Sequence, residues 1–227
     1  MAKKKRKLPT YMEDKLKVTY TPKNEKQKEL YEYITNNEIT IVKGVSGSGK
    51  TYVTLAAALN LLGDKYKNII LVKSLTTVPE EALGFLKGSL EDKINPYMMS
   101  FIWNINKLCG RDSAENLLKK EIVQILPIAF VRGITLDNSI VIIDESQNLS
   151  EHTFKTLMTR IGEDSKYIFM GDTDQIDRKR KSESPLEDMF NILGELDEIK
   201  TIEFTDEDCV RNPIIPKLLS KLKEHGR

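Results

Sequence analysis

The sequence is poor in cysteine, histidine and tryptophan, with two Cys, two His and one Trp in 227 residues. Cys109 and Cys209 are too few for a disulfide framework or a thiolate metal cluster, which points to a reducing, cytoplasmic setting. His152 and His225 stand apart on expected helices, so no histidine-held metal is expected. Long apolar runs are missing too. None nears the ~20 residues that cross a bilayer, and no signal-peptide pattern opens the chain, so no membrane partner is expected. An excess of one charge sign is also absent, since 35 basic and 34 acidic side chains leave a net charge of +1. Bulk charge therefore selects no partner.

What remains is the composition of an ordinary globular chain, 40% hydrophobic and 30% charged. A chain of this size buries about 70% of the surface its unfolded form exposes, enough for one domain with small appendages. Charge is informative only where it clusters. Lys3, Lys4, Lys5, Arg6 and Lys7 form one basic run, and Arg178, Lys179, Arg180 and Lys181 form another. Each reads either as a solvated segment or as a phosphate-backbone contact that gains by counterion release; the first also has the form of a nuclear localisation signal.

Residues 1–22 read as a flexible basic arm, and 23–227 as one domain of alternating strands and helices. Gln27, Leu30, Tyr31 and Ile34 recur at helical spacing, and Asn36-Asn37 would end that helix. Strands are expected over 39–43, 68–72, 122–131, 140–143, 166–170 and 199–204. Helices are expected over 51–62, 113–121, from Ser150 to Gly162, over 185–193, and from Asn212-Pro213 onward. Residues 74–110 read as irregular because Pro79, Gly84, Gly88 and Pro96 interrupt them. Strands alternating with helices imply parallel crossover units, hence a mostly parallel sheet covered on both faces, a three-layer α/β/α sandwich that the family resemblance given below makes RecA-like. Phe101, Trp103, Met98 and Met99 could stack on bases, but a core or helix-packing role is favoured.

Residues 44–51 read Gly44-Val45-Ser46-Gly47-Ser48-Gly49-Lys50-Thr51, a complete G-x-x-x-x-G-K-T. The glycines let successive backbone N–H groups turn inward around an anion at the start of the next helix. Lys50 would reach the β- and γ-phosphates of ATP, and the Thr51 hydroxyl would ligate Mg²⁺. A strand precedes the motif and an Ala/Leu-rich helix follows, which is the context it requires. Further on, the strand over 140–143 delivers Asp144-Glu145 to its carboxyl end, where ligands bind in open α/β sheets. Asp144 would hold the Mg²⁺, and Glu145 supplies a second carboxylate suited to polarise a water. A base for water favours hydrolysis, hence an ATPase. A nucleotide-gated binding module without turnover and a small-molecule phosphotransferase stay open beside it.

Asp144-Glu145-Ser146-Gln147-Asn148, followed by Gly171-Asp172-Thr173-Asp174-Gln175-Ile176-Asp177, resembles the PhoH-like family of superfamily 1 helicase-like ATPases. Leu83-Gly84-Phe85-Leu86 and Pro96-Tyr97 resemble its LGFLPG…PY segment. Arg132-Gly133-Ile134-Thr135-Leu136 resembles its RGRTL, and Asp208-Cys209-Val210-Arg211-Asn212-Pro213 its DVVRHP. The resemblance runs in family order over about 24–215. It implies that Gln27, with Asn24 nearby, reads adenine. Gln147 and Gln175 would sense the γ-phosphate and couple it to nucleic acid, and Arg211 would be an arginine finger. It also implies RNA or another single strand as partner, with helicase activity as one outcome. One such domain per chain implies a homo-oligomer, a ring such as a hexamer, in which Arg211 acts on a neighbour's site. The departures fall on the nucleic-acid side. Lys73-Ser74 replaces the family's Arg-Pro, Ile134 its second arginine, and Arg178 to Lys181 stand where Leu-Pro is usual.

Overall fold

The structure, a computed structural model, describes residues 16–63, 65–73, 90–131, 133–172 and 185–210, together with 214 and 221. Helix α1 spans Glu25–Asn36; Asn24 starts it by accepting from the Gln27 N–H, and Asn37 ends it. Strand β1 covers Ile39–Gly44 and α2 Lys50–Leu61, with the phosphate loop between them. After β2, Asn68–Lys73, come α3, Leu90–Cys109, and α4, Arg111–Lys119. Strand β3 covers Val123–Pro127 and runs into the short α5, Ile128–Val131. Then follow β4, Ser139–Asp144, α6, Glu151–Met158, and β5, Lys166–Gly171. Helix α7, Pro185–Leu193, and β6, Ile199–Phe204, complete the described elements.

The six strands form one sheet in the order β3-β2-β4-β5-β1-β6. Every pairing is parallel. Period-two alternation explains why both faces are covered. In β2, Ile69 and Leu71 enter one core while Ile70 and Val72 enter the other; in β4, Ile140 and Ile142 oppose Val141 and Ile143. The first core is completed by Leu30 and Ile34 of α1, the Ala56-Ala57-Ala58 run of α2, and Phe101, Ile105 and Leu108 of α3. The second takes Phe154 and Leu157 of α6 and Leu186 of α7, with Phe154 stacked on Phe169 at 4.3 Å between centroids. The result is the three-layer α/β/α architecture read from the alternation.

Four expectations need correction. Residues 90–109 are a single 20-residue helix rather than irregular chain, despite Pro96 in its second turn. Its burial of Phe101, Ile105 and Leu108, all within 1% of complete, supplies packing that local propensity does not register. Strand β3 stops at Pro127, which has no N–H to extend a ladder. Helix α6 ends at Met158, before Gly162, because Ile161 is drawn into a bridge with Leu136. The arm expected over 1–22 does not reach Pro22, since Leu16, Val18 and Tyr20 pack on the first core and the Thr19 N–H donates to the Leu108 carbonyl at 2.8 Å. The helix expected from Asn212 falls outside the described residues.

Candidate nucleotide site

The carboxyl ends of β1, β4 and β5 open onto one cavity of about 560 Å³, within the range of small-molecule sites. Strand β5 lies between β1 and β4, so the phosphate loop and Asp144 are two strand spacings apart, about 9–10 Å. That gap lets a phosphate chain and a cation lie between them. Ser46, Gly47, Gly49, Lys50 and Thr51 line the cavity from one side, and Asp144, Glu145, Gly171 and Asp172 from the other.

The loop is braced from within. Gly49 has φ +88°, a left-handed conformation that favours glycine, and a β-carbon on it would sit 2.6 Å from Gln27 Nε2 and displace that amide. The Gln27 Nε2 donates to the Ser48 carbonyl at 2.9 Å, and its Oε1 accepts from the Lys23 N–H at 2.9 Å. Ser48 is buried, with its hydroxyl donating to the Val45 carbonyl at 2.9 Å, and the Val45 N–H donates to the Phe204 carbonyl at 3.2 Å. Gly44, Val45 and Ser48 therefore hold the loop's shape instead of lining the cavity. The Lys50 ammonium donates to the Gly44 and Val45 carbonyls at 2.7 and 2.8 Å.

The acidic side is as closely specified. Asp144 ends β4, and its Oδ1 accepts from the Glu145 N–H at 3.0 Å. Glu145 has φ +55°, a left-handed conformation uncommon for a side-chain-bearing residue and typical of functional turns. Its Oε2 accepts from Gln147 Nε2 at 2.8 Å, while Gln147 Oε1 accepts from the Asp172 N–H at 3.1 Å. Gln147 is 0% exposed, so this amide bridges β4 and β5 inside the protein. A β-carbon on Gly171 would lie 2.5 Å from that same Oε1, which leaves no room for a larger residue at the bridge.

The cavity is also lined by Thr21, Lys23, Gln27 and Tyr52, and by Ser100, Asn104 and Lys107 of α3. Tyr20 stacks on Tyr31 at 5.4 Å and lies 6.1 Å from Tyr52, while the Lys107 ammonium sits 5.4 Å from the Tyr52 centroid. Burial beside the other two phenols pushes the Tyr20 hydroxyl up to about 12, and burial raises that of Tyr52 as well. These tyrosines carry no periodic signal in sequence, and only tertiary packing gathers them. Phe101 is a core residue as expected, but Trp103 and Met99 are 71% and 52% exposed, contrary to a packing role. Gln175, Arg211 and both basic clusters lie outside the described residues. Among the described residues no group of three or more His, Cys, Asp or Glu side chains could hold a metal ion. Nor is any helix among them long and apolar enough to cross a membrane.

The family model for "PhoH-like protein" matches residues 19–223. The chain belongs to the PhoH-like family. It is 34% identical over 193 residues to the PhoH-like protein of Bacillus subtilis, covering 85% of this chain and 60% of that one. It is 32% identical over 199 residues to Protein PhoH of Escherichia coli K12, covering 87% and 56%. This PhoH-like chain thus matches somewhat more than half the length of these relatives. In fold it is similar to the large terminase of a thermophilic bacteriophage, with TM-score 0.53 and 13% identity over 89% of this chain and 50% of the terminase.

Proposed function

We propose that this PhoH-like chain binds ATP with Mg²⁺ and hydrolyses it, and couples hydrolysis to binding or unwinding RNA or another single strand. The meeting of Lys50 and Thr51 with Asp144 and Glu145 in one cavity carries the ATPase reading. The nucleic-acid half rests on family membership. Backbone N–H groups of the loop would bind the phosphates, and Lys50 would exchange its bonds to the loop carbonyls for phosphate oxygens. The oxygen donors of Thr51 and Asp144 suit a hard cation that needs only one or two carboxylates beside the phosphates. Bound there, Mg²⁺ would neutralise phosphate charge. Glu145, held by Gln147, would take the proton of the attacking water. Gln175 would orient the γ-phosphate end. Gln27 would contact adenine on giving up its bond to the Ser48 carbonyl.

Family resemblance implies a ring in which Arg211 serves a neighbouring chain. One observation favours a second reading, with Arg211 serving its own chain. The Val210 N–H donates to the Gly47 carbonyl at 3.1 Å, and Val210 lines the cavity, so the residue that precedes Arg211 in sequence lies beside its own phosphate loop. Mixing Lys50→Ala with Arg211→Ala chains separates them: recovered turnover means action across subunits, none means action within one.

The wider reading is tested by ATP turnover of wild type, Lys50→Ala and Glu145→Gln with RNA, DNA or neither. Turnover stimulated by a single strand, and lost in both variants, supports it. Nucleotide-dependent RNA binding without turnover would favour a gated binding module. ADP formed only with a metabolite acceptor, and a mild Glu145→Gln, would favour a phosphotransferase.

A further inference from the structure

We propose that α3 forms the nucleoside wall of the site, with Asn104 and Lys107, beside the Tyr52 ring, binding the ribose and purine of the nucleotide. This rests on the nucleotide reading above. The loop and the Asp144/Glu145 turn fix where the phosphates lie, so the nucleoside must occupy the remainder of the same cavity. That remainder is bounded by Thr21, Lys23, Gln27, Tyr52 and Val210, and on the α3 side by Ser100, Asn104 and Lys107. The last three recur at i, i+4 and i+7 and so share one stripe of α3. A second stripe, Phe101, Ile105 and Leu108, is buried in the first core, and a third carries the exposed Met99 and Trp103. The helix therefore sits at the rim of the cavity with its polar stripe aimed inward. The carboxyl end of α3 is tied down as well, where the Leu108 carbonyl accepts from the Thr19 N–H at 2.8 Å.

The chemistry of the stripe matches a nucleoside better than a phosphate. An Asn amide offers a donor and an acceptor, and Lys107 offers donors that suit ribose oxygens and the ring nitrogens common to both purines. The Lys107 ammonium lies over the Tyr52 ring at 5.4 Å from its centroid and Tyr20 meets that ring at a tilt, so an aromatic ring and a set of cationic donors reach the cavity together. Helix packing alone does not require polar groups on the cavity side, because the exposed stripe of Met99 and Trp103 already faces solvent.

The test compares Mg²⁺-ATP with Mg²⁺-tripolyphosphate, which presents the phosphate chain without the nucleoside, by calorimetry on the full chain. Asn104→Ala and Lys107→Met should each weaken ATP roughly tenfold and leave tripolyphosphate within about twofold. Lys107→Arg, which keeps the donors, should recover most of the loss. The single tryptophan, Trp103 on the same helix, should change emission with ATP more than with tripolyphosphate. Equal weakening of both ligands would show that Lys107 acts only as a positive charge, and no weakening of either would show that α3 is a bystander; each overturns the inference while leaving the phosphate site intact. Wild type that binds neither ligand would overturn the nucleotide reading and this inference together.

Discussion

Glu145 and Gln147 show how single residues specify the site. Glu145 accepts a left-handed backbone that costs about 1–3 kcal/mol in most contexts, and in return its carboxylate leaves β4 toward the cavity. Gln147 then fixes that carboxylate with one end of its amide and the Asp172 backbone with the other. Replacing Gln147 with Leu should lower turnover by about ten- to a hundredfold with ATP affinity little changed, because the carboxylate proposed as the base loses its orientation rather than the loop its shape. Loss of the buried bond between Gln147 and the Asp172 N–H should also cost about 1–3 kcal/mol, measurable by denaturant unfolding. Gly171→Ala should show the same two losses, since its new methyl group meets Gln147 Oε1 and a Leu186 methyl, each at 2.5 Å. If Gly171→Ala unfolds and turns over like wild type, the bridge does not have the tightness described.

At the scale of elements, local and tertiary signals contribute differently from one helix to the next. For α6 the local signal is Ser150, whose hydroxyl accepts from the Thr153 N–H at 3.1 Å. Its loss in Ser150→Ala should cost about 0.5–2 kcal/mol, a melting shift of a few degrees for a chain this long. The start of α6 lies just past the Glu145 turn, so turnover should fall only as far as stability does. For α3 the local signals point the wrong way, and the tertiary one prevails. Pro79, Gly84, Gly88 and Pro96 make 74–110 read as irregular, yet Pro96 lies within the helix. The buried triplet Phe101, Ile105 and Leu108 outweighs it because packing of an amphipathic face, more than propensity, stabilises helices in proteins.

For the whole molecule, the all-parallel sheet collects the carboxyl ends of its strands on one side, so residues more than a hundred positions apart share a cavity. Ligand binding there should stabilise the fold as a unit. Saturation at a hundred times the dissociation constant adds about 2.7 kcal/mol, seen as a rise in melting temperature with Mg²⁺-ATP that Lys50→Ala abolishes. The amino ends of the strands hold a different feature. Lys166 is 2% exposed, donates to the Asn37 and Thr35 carbonyls at the end of α1, and lies near Lys65 and Glu38. Burial, reinforced by Lys65 and opposed by Glu38, lowers its ammonium to about 8. The folded state then binds fewer protons than the unfolded state between about 8 and the ordinary lysine value near 10.4, so stability from this group rises with pH through that window. Wild type should therefore gain on Lys166→Met as pH goes from about 7.5 to about 9.5, read by unfolding at each pH. A gap that stays constant would rule out the lowered ammonium.

By itself the sequence determined the alternation of strands and helices, the phosphate loop, the acidic turn and the family, because each is written in contiguous residues whose local physics is short-ranged. Gly44 to Thr51 must form a concavity wherever a strand and a helix flank it, and the 140–143 run must deliver Asp144 to a strand end. Only the tertiary structure decided the rest. It set two strand spacings between those motifs, turned Gln27 and Ser48 into braces of the loop, and gathered Tyr20, Tyr31 and Tyr52. It also folded α3 against the first core so that Asn104 and Lys107 face the cavity. Such relations depend on which faces are buried against which neighbours, and burial is a property of the packed chain that no single segment carries.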